Sequence, residues 1–437
     1  LSLKDSEGVS AVRKLARQRR RHSPRVMKMI KSVYGAPSAG REWGLLLIET
    51  LTKRMNFQRS HVDGCVYWKV SGKQVQQGGT KSHPVYWHEE FIVLLTWTDD
   101  IPYFGTPRMC KWFKETASTL LPLTWSDICR DFIGIEIRQE LDLGFTQLTQ
   151  SKYWLAAKER FKEYLTPPHV VRDPLPERCS LEDPTPEDIE SAKVYPYREL
   201  LGCMAYPSCH TKLEIRYAIS LLSRFMSGWG TEHWRMALYC LKYCICTKDI
   251  GIIYTRLGDA HGPDVLYSYA DSAFSAPKSQ GSRMVMMNGA MISHSSQRHS
   301  TTDTSTTGAE LTEAFLASND IVAFRNLMSE LGMLEEKPAV LYQDNQPAIQ
   351  VASGHRNLAS KTKHMDIRVW KLRERIDDRL VVLKFCSTHV MLADFGTKAL
   401  SVKQFIYLRD CANGYTLCRQ LHPHVDLRPL PEAIRPT

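Results

Sequence analysis

Residues 265–294 read VLYSYADSAFSAPKSQGSRMVMMNGAMISH, and this stretch decides the fold of the C-terminal part of the chain. Its first apolar run, VLYSYAD, predicts a strand that ends at Asp271. The runs RMVMM and AMISH flank Asn288-Gly289, and Asn-Gly between two apolar runs is the strongest short-range signal for a β-hairpin. The stretch therefore predicts three consecutive strands of one sheet.

The sequence downstream of this stretch alternates helices and strands. A long helix is predicted over residues 307–331, followed by the strand AVLYQD and a helix opened by Pro347, whose fixed φ suits the first helical turn. Basic helical sequence over residues 361–374, a strand over 380–385 and a last helix from Leu392 complete the unit. The order β-β-β-α-β-α-β-α predicts an α/β fold, with a mixed sheet flanked by helices.

The part of the chain between residues 26 and 165 mixes helical and strand patterns. Its apolar periodicity predicts two helices and three strands, so we expect an α+β multidomain chain overall. The helices are expected over residues 39–55 and 151–164, and the strands over 65–68, 90–98 and 131–139.

Residues 166–194 differ in composition from the sequence on either side. Six prolines lie among acidic residues there, which predicts an extended linker rich in proline and acid. Residues 195–254 return to helical periodicity, so their apolar side chains are expected to form a core. The predicted core residues are Leu200, Leu201, Ile219, Leu222, Phe225, Trp234, Leu238 and Leu241.

The overall composition is that of a globular protein with a basic charge. Among 437 residues, 57 Lys and Arg oppose 47 Asp and Glu, a formal net charge of +10 that suits a polyanion partner but is shared by ordinary proteins. The 12 cysteines are too irregularly spaced for a disulfide scaffold. No apolar run approaches the roughly 18 residues of a membrane helix. We therefore expect an intracellular protein, cytoplasmic or nuclear, that is not secreted and has no membrane partner.

The chain starts with a basic arm over residues 1–25 that contains Arg19, Arg20 and Arg21. Such a run binds phosphate backbones or serves as a nuclear address, and a solvated arm is the structural alternative. Because the first residue is Leu1, we expect the chain to be a piece of a longer polypeptide.

Four carboxylates occur at the ends of predicted elements in the C-terminal unit: Asp271, Glu310, Asp344 and Asp394. Each has a structural alternative, because Thr307-x-x-Glu310 matches a capping box and the aspartates suit turns or helix starts. Together in one sheet, the four acids are better explained by a shared cation site. Clustered carboxylates repel one another, and bound cations remove that repulsion.

A site of this kind suits the cleavage of a phosphodiester. Two Mg²⁺ ions about 3.5–4 Å apart make a water nucleophilic and stabilise the leaving oxygen. Mg²⁺ prefers hard oxygen ligands and keeps several waters, so a few carboxylates from different elements suffice. We therefore expect two Mg²⁺ ions, or Mn²⁺, in the active site.

Six motifs of the C-terminal unit follow the order and spacing of one known family: YADSAF, MISHSSQRH, STTGAELTEA, LYQDNQPAIQVA, KTKHMDIR and LADFGTK. By these motifs, residues 264–410 resemble the RNase H domain of copia-type retrotransposon Pol polyproteins. The resemblance implies an RNase H-like mixed sheet in which the four carboxylates bind metal and hydrolyse the RNA strand of an RNA–DNA hybrid.

The same resemblance points to further candidates in and around this site. His389 precedes the last acid in CSTHVMLAD, and His364 lies in the basic helix KTKHMDIR. Both are accessory candidates, with a surface or structural role as the alternative. The nucleic-acid-binding candidates are Arg19, Arg20, Arg21, Lys361, Lys363 and Arg368.

The resemblance extends upstream over SVYGAPSAGREW, HVDGCVYW and LLTWTDDI, and it covers about residues 26–410 in all. It implies that Asp99 and Asp100 take the place of the paired metal-binding acids of a reverse transcriptase. The implied domains are a truncated palm and fingers remnant over 26–165, the linker over 166–194, a helical thumb or connection over 195–260, and a tail over 411–437.

The upstream part departs from the family pattern in two respects. The family hairpin usually reads Tyr-Val-Asp-Asp, whereas Trp97 and Thr98 precede the aspartate pair here. The palm strand with a further metal-binding aspartate is expected before SVYGAPSAG, where this sequence has only the basic arm. We therefore expect that the chain does not polymerise DNA on its own.

Two hypotheses for the function follow from these observations. The first is a Pol-derived fragment whose RNase H domain cleaves RNA–DNA hybrids, and the second is a catalytically dead retroelement remnant that only binds nucleic acid. The altered hairpin favours the remnant, whereas the four acids of the C-terminal unit favour the enzyme. A third reading, an ordinary scaffold protein, leaves the order of the six motifs unexplained.

Overall fold

The computed structural model of the chain describes residues 38–79, 84–166, 170–275, 277–333, 337–354, 366–425 and 427. Its contacts divide the chain into two units, Leu1–Asn56 and Phe57–Thr437. The described part of the first unit is a helix, α1 (Ala39–Glu49), that continues into a π-helical turn at Thr50–Arg54. The helix predicted over residues 39–55 is therefore confirmed.

The second unit begins with an antiparallel sheet in which each strand pairs with the next along the chain. The strands predicted over residues 65–68 and 90–98 are confirmed in the second and third strands of this sheet, although residues 96–98 lie in the following turn. The elements are β1 (Gln58–Arg59), β2 (Val66–Gly79), β3 (Pro84–Leu95), β4 (Tyr103–Gly105) and helix α2 (Pro107–Leu120).

A second antiparallel sheet contains β5 (Asp131–Phe132), β6 (Ile135–Glu140), β7 (Phe145–Thr149) and β8 (Ile252–Thr255). The single strand predicted over residues 131–139 is wrong, because Ile133 and Gly134 form a turn with φ of 47° and 75° that separates β5 from β6. A β-branched residue at positive φ is uncommon, so the apolar pattern conceals this turn. The predicted helical stretch also ends earlier than expected, because β8 pairs with β7.

Helices fill the sequence between β7 and β8, as the periodicity of residues 195–254 predicts. Of the predicted core residues, Ile219 and Leu238 are half-buried and the other six are buried. The cysteines Cys240 and Cys244 are buried in the same core. The helices are α3 (Ser151–Arg160), α4 (Pro186–Ala192), α5 (Tyr197–Ser208), α6 (Arg216–Ser223) and α7 (Thr231–Cys246).

The proline-rich segment before these helices is packed more closely than an extended linker would be. It contains α4, and Val171, Asp173 and Leu175 are buried. Tyr239 of α7 donates a hydrogen bond to Asp173 Oδ1 at 2.5 Å, which ties the segment to the helices. The segment packs because its few apolar side chains contribute to the helical core.

The C-terminal sheet has five strands: β9 (Tyr267–Ala273), β10 (Gln280–Met287), β11 (Ala290–Arg298), β12 (Ala339–Gln343) and β13 (Val381–Phe385). Their order is β11-β10-β9-β12-β13. The first three strands in sequence are antiparallel, and β12 is parallel to both β9 and β13. The predicted hairpin is confirmed, because Asn288 and Gly289 have φ of 55° and 81°, as a type I′ turn requires.

Helices cover both faces of this sheet. They are α8 (Thr306–Glu330), α9 (Gln346–Ala352), α10 (Asp366–Asp377), α11 (Val402–Ala412) and α12 (Tyr415–Leu421). On one face, Ala270 and Val285 of the sheet share a core with residues of α8 such as Leu311. On the other, Met284 and Met286 join the core of the α3–α7 helices and α11. The predicted element order is confirmed.

Two details at the end of the chain differ from the sequence-based expectations. The last helix was expected from Leu392, but Leu392–Gly396 is a 3₁₀ turn and α11 starts at Val402. Helix α12 lies in the predicted tail and packs against β8 through Tyr415 and Ile253. None of the helices in the described ranges has the length and apolar character needed to cross a lipid bilayer.

Candidate metal centre

Three carboxylates that lie far apart in the sequence meet at one edge of the C-terminal sheet. Asp271 lies in β9, Asp344 directly follows β12, and Glu310 lies on α8. One oxygen of each carboxylate lies within 4.8 Å of those of the other two. The adjacent parallel strands pair Tyr269 with Tyr342, so Asp271 and Asp344, two residues further along each strand, arrive side by side.

The structure corrects the expected positions of two of these acids. Asp271 was expected to end its strand, but β9 continues to Ala273. The capping box considered as a structural alternative for Thr307 and Glu310 does not form, because Ser305 is the N-cap of α8 and accepts a hydrogen bond from the Gly308 amide at 3.0 Å. Glu310 therefore lies in the second helical turn, where its carboxylate faces the site.

Asp344 does not cap a helix either. Asn345 is the N-cap of α9, and its Oδ1 accepts a hydrogen bond from the Ala348 amide at 2.9 Å. The hydroxyl of Thr388 donates to Asp344 Oδ2 at 2.9 Å. This hydrogen bond orients one oxygen of the carboxylate and leaves the second for a cation.

The fourth predicted acid, Asp394, is buried and close enough to Asp271 for its charge to act on that carboxylate, but it lies outside the group of three carboxylates. It lies in the 3₁₀ turn Leu392–Gly396, and Lys398 Nζ contacts its Oδ1 at 2.5 Å. Thr397, three residues after Asp394, donates its hydroxyl proton to Asp271 Oδ2 at 2.9 Å. The turn and the two residues that follow it therefore supply the site with an acid, a hydrogen bond and a cation.

The carboxylates are held in an environment that disfavours their charged forms. Burial raises the pKa of Asp271 to about 7, and the charges of Asp394 and Asp344 add to this effect, which Thr397 and Lys398 oppose. Burial also raises the pKa of Glu310 well above its usual range, with further increases from Asp271 and Asp344. A divalent cation among these groups would remove both the repulsion and the cost of burial.

The side chains present fit such a cation. Glu310 Oε2 is buried and has no hydrogen-bond partner among the described residues. Buried polar atoms are almost always paired, so an unpaired carboxylate oxygen beside two other carboxylates fits a site that binds a cation. Mg²⁺ and Mn²⁺ prefer a donor set made only of oxygen atoms.

The predicted polymerase pair lies elsewhere, on the exposed turn between β3 and β4. Asp99 and Asp100 are both exposed, and Thr98 has φ of 48°. The backbone groups of Trp97 and Asp100 exchange hydrogen bonds of 2.9 and 2.6 Å, which closes the turn. Within the described ranges, no third metal-ligating side chain forms a group with these aspartates.

The remaining predicted site residues are partly outside the described ranges. His389 is exposed in the 3₁₀ turn Thr388–Val390, next to the threonine that contacts Asp344. Arg368 on α10 is half-buried and donates hydrogen bonds to the hydroxyls of Thr301 and Thr312. The predicted residues that lie outside the described residues are Arg19, Arg20, Arg21, Lys361, Lys363 and His364.

Sequence reasoning missed three residues that contact the candidate ligands. Two of them, Thr397 and Lys398, lie three and four residues after Asp394 in the motif LADFGTK. Their place in that motif was a usable signal, because a threonine and a lysine next to a buried acid can orient and neutralise it. Thr388 carried no such signal, because it lies more than 40 residues from Asp344, the side chain it contacts.

The fold and the acids together define a class of protein. Three antiparallel strands are followed by two parallel ones in the order β11-β10-β9-β12-β13, and acids occur on the first strand, on the first helix and after the fourth strand. This is an RNase H-like domain, and it follows a chain segment of sheets and helices in the same unit. The predicted α/β fold class is confirmed.

Relatives of known identity align with nearly the whole chain. Pol polyprotein from transposon TNT 1-94 of Nicotiana tabacum is 27% identical over 407 residues, which is 91% of this chain and 28% of that protein. The RE1 Pol polyprotein of Arabidopsis thaliana is 26% identical, over 87% of this chain and 24% of that protein. The Ty1-NL2 Gag-Pol polyprotein of Saccharomyces cerevisiae is 21% identical, over 87% and 21%.

The chain is similar in sequence to retrotransposon Pol polyproteins over most of its length, and the predicted resemblance to the copia type is confirmed. It spans about a quarter of the length of the curated relatives that it matches. No protein-family model matches the chain.

Solved structures with similar parts include a ribonuclease and a reverse transcriptase. LC11-RNase H1 in complex with an RNA/DNA hybrid is 13% identical, with a TM-score of 0.24, over 30% of this chain and 91% of that one. The foamy viral protease-reverse transcriptase in complex with dsDNA is 13% identical, with a TM-score of 0.40, over 82% of this chain and 60% of that one. Because both scores are low, the fold assignment rests on the strand order.

Proposed function

We propose that the RNase H-like domain over residues 264–410 is a metal-dependent ribonuclease that cleaves the RNA strand of RNA–DNA hybrids. The single observation that supports this proposal is the convergence of Asp271, Glu310 and Asp344 within 4.8 Å, with a buried Glu310 oxygen that lacks a partner among the described residues. Relationship to Pol polyproteins supports the choice of nucleic acid as substrate.

Each side chain of the site has a distinct part in this proposal. Asp271, Glu310 and Asp344 hold two Mg²⁺ or Mn²⁺ ions, and Asp394 contributes from its turn while Lys398 limits its charge. When bound, such ions supply a nucleophilic water and stabilise the leaving oxygen. Thr397 fixes the orientation of the Asp271 carboxylate through its hydrogen bond.

The substrate is selected by its shape and its sugar chemistry. A hybrid duplex presents 2′-hydroxyl groups in a wide, shallow minor groove, which is the feature that distinguishes RNA from DNA. The net charge of +10 favours association with the phosphate backbones. Within this proposal, His389 and His364 assist at the site, and the basic residues that contact the duplex are Arg19, Arg20, Arg21, Lys361, Lys363 and Arg368.

The same chain also contains the candidate polymerase pair, Asp99 and Asp100, outside the RNase H-like domain. The expectation that this chain does not polymerise DNA by itself stays a prediction, with Asp99 and Asp100 as the metal-binding pair. Primer extension on an RNA template tests it, and extension that disappears in Asp99→Asn would contradict it.

The test of the ribonuclease is cleavage of a labelled RNA–DNA hybrid with Mg²⁺ or Mn²⁺. We expect cleavage by the unaltered chain, and its loss in Asp344→Asn, which removes one ligand charge and keeps the shape of the side chain. Asp378→Asn is the matched control, because Asp378 is exposed near the end of α10 that precedes β13. A folded protein that binds the hybrid but does not cleave it with either metal ion would support the binding-only remnant instead.

A further inference from the structure

A buried amide side chain lies between two of the candidate ligands. Gln343 ends β12 and directly precedes Asp344, and its side chain is fully buried. Leu341, two residues earlier, shares a core with residues of α8, so the alternation of side chains along a strand places Gln343 on the face that α8 covers. Glu310 extends from α8 toward the same end of the strand. Gln343 therefore lies between the backbone of one candidate ligand and the side chain of another.

The oxygen of this amide is anchored on the backbone at the end of β12. Gln343 Oε1 accepts hydrogen bonds from the backbone amides of Asp344 at 2.8 Å and Asn345 at 3.3 Å. Both partners are N–H donors, so the side-chain atom that they contact has to be the oxygen. These two hydrogen bonds fix the plane of the amide and direct its Nε2 away from the backbone of Asp344.

The nitrogen of the amide lies beside the Glu310 carboxylate. Burial and the charges of Asp271 and Asp344 raise the pKa of Glu310, and the Gln343 side chain opposes them, as a donor next to a carboxylate does. Among the described residues, neither Gln343 Nε2 nor Glu310 Oε2 has a hydrogen-bond partner, although both atoms are buried. Buried polar atoms are almost always paired. A buried donor left unpaired beside a buried acceptor fits a carboxylate that takes its final position when a cation binds.

We propose that Gln343 is a positioning residue of the candidate metal centre, which holds the backbone of Asp344 through Oε1 and directs the Glu310 carboxylate through Nε2. The inference rests on the proposed function, because it takes these carboxylates to bind the metal ions. An aliphatic side chain here would leave the two backbone amides unpaired and give Glu310 no donor, and a carboxylate would add another negative charge. A neutral amide, with an acceptor on one side and a donor on the other, serves both ligands.

The test is titration of the unaltered chain and of Gln343→Met with Mn²⁺ by calorimetry. Methionine keeps the length and the unbranched shape of the side chain but lacks the amide donor and the carbonyl acceptor. We expect the Mn²⁺ affinity to fall by about 10–100-fold, the usual cost of removing a group that orients a metal ligand. A Mn²⁺ affinity equal to that of the unaltered chain would overturn the proposal.

Gln150→Met is the matched control. Gln150 is also buried, its Oε1 accepts a hydrogen bond from the Thr211 hydroxyl at 2.6 Å, and its Nε2 has no partner among the described residues. It directly precedes α3, in the helical segment and not in the RNase H-like domain. Urea unfolding in EDTA should show a loss of stability in both variants, whereas only Gln343→Met should bind Mn²⁺ more weakly. An equal loss of Mn²⁺ affinity in the control would overturn the proposal.

Gln343→Asn is a second variant, which is used if Gln343→Met does not fold. It keeps the amide but is one methylene shorter, so it cannot reach both the backbone amides and the Glu310 carboxylate. The Mn²⁺ affinity should fall in this variant too, and an unchanged affinity in a folded Gln343→Asn protein would overturn the proposal.

Cleavage of a labelled RNA–DNA hybrid separates metal positioning from substrate binding. In Gln343→Met, the Mn²⁺ concentration that gives half of the maximal rate should rise, while KM for the hybrid stays that of the unaltered chain. A raised KM with an unchanged Mn²⁺ requirement would overturn the positioning role.

The outcomes also separate this inference from the function on which it rests. An unaltered chain that binds no Mn²⁺ would overturn both. Mn²⁺ binding that Gln343→Met weakens, in a chain that cleaves no hybrid, would overturn the ribonuclease and support the positioning role. Cleavage with the same Mn²⁺ affinity in Gln343→Met and the unaltered chain would overturn only the positioning role.

Discussion

Glu310 and Asp344 are available for a cation because smaller polar residues next to them cap the helices. Ser305 caps α8 and Asn345 caps α9, with hydrogen bonds of 3.0 and 2.9 Å to backbone amides. Short side chains with oxygen acceptors are the preferred N-caps. The longer Glu310 and the adjacent Asp344 are therefore left to face one another, at a cost in repulsion that a bound cation would relieve.

At the scale of single residues, we expect Thr397→Val to weaken metal binding. The variant keeps the shape of the side chain but loses the hydrogen bond to Asp271 Oδ2, so the carboxylate is no longer held in orientation. Loss of a hydrogen bond to a metal-ligating side chain typically costs about 10–100-fold in metal affinity or activity. Titration of Mn²⁺ by calorimetry measures the affinity directly.

Thr119→Val is the matched control for this prediction. Thr119 is exposed on α2, and its hydroxyl bonds to a carbonyl of its own helix. Mn²⁺ affinity should be unchanged in this control. Equal affinity in Thr397→Val and the unaltered chain would mean that Asp271 needs no such support.

At the scale of elements, a cluster of charged side chains connects helix α8 to the sheet beneath it. This charged group consists of His299, Asp303, Glu313 and Arg283. His299 lies between two carboxylates, with Nδ1 at 2.6 Å from Asp303 and Nε2 at 2.9 Å from Glu313, and all three side chains are buried. Arg283 of β10 also contacts Glu313 at 3.0 Å. Because Glu313 lies one turn beyond Glu310 on the same helix, this group sets how α8 presents Glu310 to the metal centre.

The charged group makes stability depend on pH in a defined direction. Burial lowers the pKa of His299, but the hydrogen bonds and charges of Glu313 and Asp303 outweigh it and raise the pKa overall. A raised pKa means that His299 stabilises the fold fully below its unfolded value of about 6.5, and that this stabilisation is lost as the pH rises through the folded value. Breaking such a buried pair costs about 3 kcal/mol.

We therefore expect His299→Gln to lower the free energy of unfolding more at pH 6 than at pH 9. Urea unfolding of both proteins at each pH gives the difference. If His299→Gln lowered the free energy of unfolding by the same amount at both pH values, the imidazole would not be charged between its two carboxylates.

A close contact beneath α8 gives a second prediction for this element. A Cβ on Gly281 of β10 would lie 2.0 Å from Glu313 Oε2 and 2.6 Å from His299 Nε2. Gly281→Ala should therefore displace the charged group and destabilise the fold by about 1–3 kcal/mol, as overpacking typically does. Thermal unfolding followed by circular dichroism measures the loss.

Gly202→Ala is the opposite case and serves as the control. Gly202 lies inside α5, and a Cβ there meets no atom within 4 Å. Alanine in a helix interior is favoured over glycine by about 1 kcal/mol, so this variant should be slightly more stable. A Gly281→Ala protein as stable as the original would contradict the close packing of Glu313 against β10.

At the scale of the second unit, α8 joins the candidate metal centre to the first sheet. Glu330 ends the helix 20 residues after Glu310, or about 30 Å away at 1.5 Å per residue. Its carboxylate accepts hydrogen bonds from the Ser60 hydroxyl at 2.5 Å and the His61 amide at 3.1 Å. Leu327 and Leu331 of this helix end pack on Val66, Trp68 and Val93 of the sheet.

We expect Glu330→Ala to loosen the first sheet without unfolding the RNase H-like domain. Two hydrogen bonds to a charged acceptor are lost, each worth about 1.5–3 kcal/mol when intact. Hydrogen exchange of the β2 and β3 amides should become faster, while that of β9 and β12 stays the same. Glu374 is an exposed residue of α10 that forms an ion pair with Lys371, and Glu374→Ala should change neither exchange rate. Equal exchange in the unaltered chain and Glu330→Ala would show that apolar packing alone holds the sheet.

The features that could be predicted from the sequence depend on neighbouring residues. Asn288-Gly289 specifies its turn because both residues tolerate positive φ, and apolar periodicity specified the order of helices and strands in the C-terminal domain. The four acids were candidates because each lies in a local motif. The same reasoning failed at Ile133, where the pattern of a continuous strand conceals a turn.

Other features were decided only by the tertiary structure, because they depend on pairing between distant parts of the chain. The register of β9 with β12 brings Asp271 beside Asp344, and the packing of α8 adds Glu310. Capping by Ser305 and the hydrogen bond from Thr388 also escape local patterns. The sequence by itself determined which side chains could bind metal and nucleic acid, and long-range packing decided which of them meet.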